Sequence, residues 1–392
     1  MIYNGNMKPE NTATNTATST RSTRYEQNVL ALIRAHFRAL EGYVSAGMQE
    51  AKSAEKLFLN ANENPFELPR LEGLNRYPPP QSAELTAAMA AFYGVSPEGI
   101  TITRGADEGI AMLFRLFCEP HHDDILINPP TFGVYRVYGN AMPARRIIET
   151  PLTQTGGTFH LDCAAIETAL NQPDQRIKLI FLTNPNNPTG TLFPRSDILE
   201  IIRMSAGKAI VVLDETYAEF APECSLTADL DKDGFEHVII LRTLSKSFSL
   251  AGMRVGAILT GAAALTHILQ TKVMEIYPIP TASIKAALHV LSSDIRAQAL
   301  ENIQTLITER KNMEAFLATL ENVRAVYPSA VNFLLIEMAR AAEFIQFAKA
   351  QNVIIRDFSA APDTKDCIRL SIGTPEQNRI VMRLFEEFYS AS

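Results

Sequence analysis

Residues 237–256 read HVIILRTLSKSFSLAGMRVG. The run from Val238 to Leu241 is apolar and β-branched, the composition of a strand covered on both faces. It ends in the hydroxyls of Thr243 and Ser245 and then Lys246, with Arg254 eight residues on. Two upstream segments have the same layout. IKLIFLT (177–183) leads into Asn184-Pro185-Asn186-Asn187-Pro188-Thr189-Gly190, and AIVVL (209–213) ends in Asp214-Glu215-Thr216-Tyr217. Three predicted strands thus carry an amide, a carboxylate with a phenol, and a lysine with hydroxyls at their carboxyl ends. Open parallel sheets bind ligands at that edge, so the layout predicts an enzyme site.

Outward from this region, the chain alternates helix-like and strand-like stretches. Ser82 to Tyr93 reads as a helix, Ile100 to Thr103 as a short strand, Ala106 to Cys118 as a helix and Asp124 to Asn128 as a strand. The alternation continues to about residue 285 and predicts a mostly parallel sheet covered on both faces. Beyond it come a long helical region (Ile284 to about Leu320), a strand near Asn332 to Glu337 and a helix near Ala341 to Gln351. A short pair at Val353 to Arg356 and Cys367 to Ile372 precedes a last helix from Pro375 to Tyr389. The expected fold class is therefore α/β: a three-layer large domain with a mostly parallel sheet over 81–285, and a smaller α+β C-terminal domain over 286–392. Residues 25 to about 50 have helical apolar spacing, and Pro65, Pro69 and Pro78-Pro79-Pro80 mark an extended crossing segment.

At 392 residues the chain exceeds one ordinary core. A net charge of −7 argues against nucleic acid or an anionic membrane as partner. Cys118, Cys163, Cys224 and Cys367 show no metal spacing and read as reduced cytosolic thiols, so no metal is expected and a cytoplasmic location is. No apolar run approaches the roughly 20 residues that span a bilayer. The Thr/Asn/Ser-rich residues 1–24 lack the apolar core of a secretory signal and read as a disordered leader.

Each candidate also has a plain structural reading. Asp107 and Glu108 suit the first turn of any helix, but the free amides there, together with Thr243, Ser245 and Arg254, suit a phosphate monoester. Asp214 could cap a helix or hold a proton on a ring nitrogen. Tyr217 could pack or share a proton with a neighbouring oxygen. Phe132 could be core or a ring-stacking platform. Lys246, directly after a buried strand, is pushed toward the neutral amine needed for Schiff-base formation and proton transfer.

The set Asn187-Pro188-Thr189-Gly190, Asp214 with Tyr217, Ser245-Lys246 and Arg254 resembles the fold-type I pyridoxal-phosphate aminotransferases, the aspartate aminotransferase-like fold. The resemblance runs from about residue 40 to the C-terminus. Within that superfamily, LNANENP (59–65), RYP (76–78), RGADE (104–108), FCEP (117–120) and RLSIGTP (369–375) resemble the histidinol-phosphate aminotransferases. The resemblance implies pyridoxal 5'-phosphate as cofactor, linked to Lys246, which then shuttles the substrate proton. It implies Asp214 on the ring nitrogen, Asn187 and Tyr217 on the ring oxygen, and Phe132 on the ring face, where relatives often carry tyrosine or tryptophan. Ala106, Asp107, Thr243, Ser245 and Arg254 would hold the phosphate, and Tyr77 would reach it from the other subunit of a homodimer. Residues 25–80 would then form an N-terminal arm contributing to the small domain and the dimer contact.

For the substrate, the resemblance implies Arg356 and Arg369 on the phosphate of histidinol phosphate, with Tyr43 and Asn187 nearby, and Arg369 on the carboxylate of glutamate. The implied reaction exchanges an amino group between L-histidinol phosphate and 2-oxoglutarate in histidine biosynthesis. Aromatic amino acid transamination and phosphothreonine decarboxylation on the same scaffold are the enzymatic alternatives. A cofactor-binding regulatory protein is the non-enzymatic one.

Overall fold

The computed structural model describes residues 27–41 and 59–390. The leader expected over 1–24, the candidate Tyr43 and residues 25–26 and 42–50 of the helix expected over 25–50 lie outside the described residues. Of that helix, 27–32 and Ala35–Ala39 are helical, with a break at Arg34, whose φ −51°, ψ 135° is extended.

The main sheet takes β1 (Ile100–Thr103), β2 (Asp124–Ile127) and β3 (Ile147–Glu149), then, past a separate hairpin of β4 (Thr153–Thr155) and β5 (Thr158–His160), β6 (Ile177–Thr183), β7 (Ile210–Asp214), β8 (Val238–Thr243) and β9 (Gly256–Leu259). Its order is β1-β9-β8-β7-β6-β2-β3. The strands from β3 across to β8 are parallel, and β9 runs antiparallel to both its neighbours. The expected mostly parallel α/β sheet is present.

Period-two alternation decides what each strand offers to each face. Val211, Leu213, Val238 and Ile240 pack into one core with the helices Ala83–Tyr93, Arg195–Ser205 and Thr281–Leu291. Leu179, Phe181, Ile210, Val212, Ile239 and Leu241 pack into the other with the helix Gly105–Phe117. A fully buried aliphatic side chain contributes roughly 1.5–3 kcal/mol, so slipping any central strand by one residue would reverse several such burials at once. The same parity puts Thr183, Asp214 and Thr243, the last residues of their strands, on the face of the second core. Thr183 and Asp214 are direct register partners.

The second sheet has β10 (Val323–Val326), β11 (Phe333–Met338), β12 (Arg356–Asp357) and β13 (Cys367–Ser371) in the order β10-β11-β13-β12, all antiparallel. Leu334, Ile336, Ile368 and Leu370 face a core with Phe344 and Phe385 from the helices Ala341–Ala350 and Pro375–Ser390. The alternate residues Phe333 and Arg369 therefore face the main sheet, where Phe333 meets Tyr217 edge-on with centroids 5.4 Å apart. The long helix expected over 284–320 is two helices, Thr281–Leu291 and Ser293–Leu317, because Ser292 between them is extended at φ −62°, ψ 152°. The strand expected over 353–356 sits later, at Arg356–Asp357. Among the described residues no helix is long and apolar enough to cross a membrane.

Candidate active site

At the carboxyl ends of β6, β7 and β8 lies a cleft of about 150 Å³. Eleven of the sequence candidates line it: Ala106, Asp107, Phe132, Asn187, Asp214, Tyr217, Thr243, Ser245, Lys246, Arg254 and Arg369. Arg356 lines an adjoining groove that shares Arg369. Tyr77 stays out of its own chain's cleft. It is half-exposed and stacks on Tyr277 at 4.3 Å in a separate hollow.

Asp214 is 2% exposed, and its carboxylate meets donors but no cation. Tyr135 donates from its hydroxyl to Oδ2 at 2.7 Å; Thr216 donates its amide to Oδ1 at 3.1 Å and its hydroxyl to the same oxygen. Burial raises the Asp214 pKa, and the bonds from Thr216 and Tyr135 oppose that rise. Tyr135 also lies 2.7 Å from Thr183 Oγ1 and stacks on Phe181 at 4.5 Å, which fixes the ring. A buried acid held by dipoles alone is set up to receive a positive partner.

The helix Gly105–Phe117 begins at the same edge. Gly105 has φ +75°, and a Cβ there would come within 2.8 Å of the Arg254 guanidinium, so glycine is required for the close approach. Arg254 itself sits in the left-handed region at φ 53°, where a non-glycine residue costs about 1–2 kcal/mol. That backbone aims its guanidinium at the helix start: Nη2 pairs with Asp107 at 2.9 Å, and Nη1 lies 3.5 Å from Ser245 Oγ. Thr243 Oγ1 is 3.0 Å from Ser245 Oγ. Amides at a helix start, two hydroxyls and a guanidinium form a donor set matched to a phosphate.

Lys246 lines the same cleft as the phosphate-type cup and Asp214. It is exposed to the open cleft, yet the walls strip away part of its hydration. That desolvation, followed by the Arg369 charge, lowers its pKa. Burial pushes the Tyr217 phenol up to about 12, with Arg369 opposing. Arg369 Nη1 donates to Asn187 Oδ1, which leaves the amide's Nδ2 as the donor available to a ligand. The Arg369 guanidinium lies over the rings of Phe333 (5.1 Å) and Phe358 (5.6 Å), and its buried Nε has no partner among the described residues. Phe132 meets Tyr135 edge-on at 5.6 Å, so one of its faces packs on the core.

Sequence reasoning missed Tyr135, Thr183 and Thr216. Thr183 was legible as the last residue of its strand, and Thr216 as the position two after an aspartate, where the side chain can close a local turn. Tyr135 lies one helical turn after Phe132, but nothing local announces that its hydroxyl reaches β7.

The aminotransferase class I and II profile matches residues 48–385. This chain belongs to that family. The histidinol-phosphate aminotransferase of Xylella fastidiosa (strain Temecula1) is 38% identical over 361 residues, covering 92% of this chain and 96% of the relative. The enzyme of that name numbered 1 in Haemophilus influenzae is 38% identical over 364 residues, covering 92% and 95%. Among solved structures, the histidinol-phosphate aminotransferase from Clostridium acetobutylicum superposes with a TM-score of 0.71 at 18% identity, covering 81% of this chain and 92% of that one. The Sinorhizobium meliloti protein of the same name, in complex with pyridoxal-5'-phosphate, gives 0.70 at 22% identity, covering 81% and 84%. Those two likenesses extend the aminotransferase assignment to the fold.

The cofactor fits the residues present. The buried Asp214 carboxylate is held by neutral donors, the helix start, two hydroxyls and Arg254 form a donor set matched to a phosphate, and Lys246, an amine of lowered pKa, lines the same cleft.

Proposed function

We propose that this aminotransferase exchanges an amino group between L-histidinol phosphate and 2-oxoglutarate, giving imidazole acetol phosphate and L-glutamate, in the cytoplasm. The names of its relatives at 38% identity over nearly their whole length support histidinol phosphate as a substrate. The observation that carries the reading is in the small sheet. Arg356 and Arg369 are direct register partners on β12 and β13, so two guanidiniums lie side by side where the adjoining groove meets the cleft. Burial lowers the Arg369 pKa; Tyr217 opposes the shift and the Arg356 charge adds to it, so the two cations feel each other. A dianionic phosphate relieves that repulsion better than a single carboxylate does.

Bound pyridoxal phosphate supplies an aldehyde that takes up the amino group and a ring that withdraws electrons from the substrate carbon. The chain's residues do the rest. Asp214 would hold a proton on the ring nitrogen, Asn187 and Tyr217 would donate to the ring oxygen, and Phe132 would cover a ring face. Ala106, Asp107, Thr243, Ser245 and Arg254 hold the phosphate. Lys246 Nζ is the amine that would hold the cofactor's aldehyde carbon and would move the proton at the substrate carbon. Arg369 would bind the acidic end of each substrate in turn.

We also propose a homodimer in which Tyr77 crosses to the partner's cleft. Its position outside its own cleft supports this, as do the exposed Leu59, Phe66 and Leu68 on the same segment. By the same reading 81–285 is the cofactor domain, 286–392 the small domain and 25–80 an N-terminal arm contributing to the small domain and the dimer contact. A donor panel tests the substrate: histidinol phosphate should exceed phenylalanine and O-phosphothreonine in kcat/KM. Phenylalanine ahead by about tenfold, some 1.4 kcal/mol of transition-state preference, would reassign the enzyme to aromatic substrates.

A further inference from the structure

Behind Lys246, on the opposite face of the main sheet, lies a buried charge cluster that the reaction does not touch. Parity sends Arg242 and Glu215 to that face while their neighbours Thr243 and Asp214 enter the cleft. Arg242 Nη1 donates to Glu215 Oε2 at 2.7 Å and Nη2 donates to Glu219 Oε1 at 2.9 Å; the three side chains are 8%, 1% and 5% exposed. Its guanidinium also lies over the Tyr93 ring at 4.8 Å. Glu215 is further held by the Ser225 hydroxyl at 2.7 Å and the Leu226 amide at 2.8 Å. These contacts satisfy Glu215 and leave the other Glu219 oxygen, Oε2, for a single described donor, the Ser247 hydroxyl at 3.0 Å.

Ser247 follows Lys246 directly. The residue before the lysine is pinned too: Ser245 donates its amide to Thr243 Oγ1 at 3.2 Å. The lysine's backbone is therefore clamped on both sides, toward the cleft through Ser245 and away from it through Ser247. The buried arginine with two carboxylates is an expensive arrangement if all it does is satisfy Arg242, since one carboxylate would neutralise it. The second carboxylate is the one that reaches Ser247.

We propose that Glu219 and Ser247, braced by Arg242, are positioning residues that fix the Lys246 backbone so that Nζ meets its reacting carbon. This rests on the reading of Lys246 as the lysine that carries the cofactor. A misplacement of about 1 Å at a reacting group costs on the order of a hundredfold in rate, and Lys246 has a long side chain whose aim depends on its Cα.

The test compares wild type, Ser247→Ala, Ser247→Thr, Glu219→Gln and the Ser247→Ala/Glu219→Gln double variant. Three quantities are read: thermal midpoint, the rate at which apo-protein forms its coloured adduct with added pyridoxal phosphate, and the kinetic isotope effect with α-deuterated glutamate. Positioning predicts a ten- to hundredfold slower adduct rate per folded molecule in Ser247→Ala, an isotope effect increased at least twofold, and recovery in Ser247→Thr. The double variant should be no worse than its slower parent within about twofold, because both changes cut one link. A lowered thermal midpoint with unchanged adduct rate and isotope effect would reduce the cluster to structure and overturn the proposal, as would multiplicative losses in the double variant. If Ser247→Ala does not fold, Glu219→Gln carries the same comparison. Borohydride reduction of wild type keeps the two readings apart: an adduct away from Lys246 refutes the lysine assignment, whereas an adduct on Lys246 with unaffected variants refutes the clamp alone.

Discussion

Tyr135→Phe isolates one hydrogen bond to the most deeply buried acid in the cleft. The substitution keeps the ring, so the stack on Phe181 at 4.5 Å and the edge contact with Phe132 survive. Thr183, which loses the Tyr135 hydroxyl, still has Thr131 Oγ1 at 3.4 Å, so no buried hydroxyl is stranded. What goes is the 2.7 Å bond to Asp214 Oδ2, leaving only the two Thr216 donors on Oδ1. A hydrogen bond to a charged group contributes about 1.5–3 kcal/mol, and about 1.4 kcal/mol is a factor of ten. The carboxylate must be ionised to hold a protonated ring nitrogen, so cofactor affinity should fall roughly 10- to 150-fold. Titrating apo-protein with pyridoxal phosphate and following the absorbance of the bound cofactor measures this directly. The apo form loses the same bond, so its thermal midpoint should fall by a few degrees. Affinity within twofold of wild type would refute the argument that Tyr135 sustains the Asp214 charge.

Asp214→Asn should leave the apo-protein at least as stable as wild type at pH 7 while abolishing tight cofactor binding. The sign follows from the pKa: Asp214 is raised above 3.8 by burial, so its favourable contribution is present below pH 3.8 and lost as pH rises through the folded value. The stability gap between variant and wild type, read by calorimetry, should therefore narrow on acidification; a variant less stable at pH 7 than at pH 4, relative to wild type, contradicts this. The adduct rate of apo wild type should rise with pH through a midpoint below 10.5, because burial and then the Arg369 charge lower the Lys246 pKa. Arg369→Ala should move that midpoint upward, and no movement would remove Arg369 as a cause.

The three strand ends were legible because a buried parallel strand writes itself as a continuous apolar run, and the residue after such a run must sit at the sheet edge. That puts Asn187, Asp214 and Lys246 at one sheet edge from the sequence alone. Arg369 was legible only through resemblance, since its delivery to the cleft depends on β13 pairing with β11 and on which face of that small sheet meets Tyr217. The hairpin of β4 and β5 escaped notice because its strands are three residues long and mostly polar. The break at Ser292 was hidden because serine is tolerated within helices and the apolar spacing continues across it. Glu215, Glu219 and Arg242 read as unrelated charges until parity and the fold bring them together behind the lysine.

The account depends above all on one bond between this chain and its cofactor. Purified protein incubated with pyridoxal phosphate, reduced with borohydride and digested should yield a single modified peptide carrying the pyridoxyl group on Lys246, and Lys246→Ala should yield none. A pyridoxyl group on any other lysine, or an unmodified Lys246 in protein that still turns over, would contradict it.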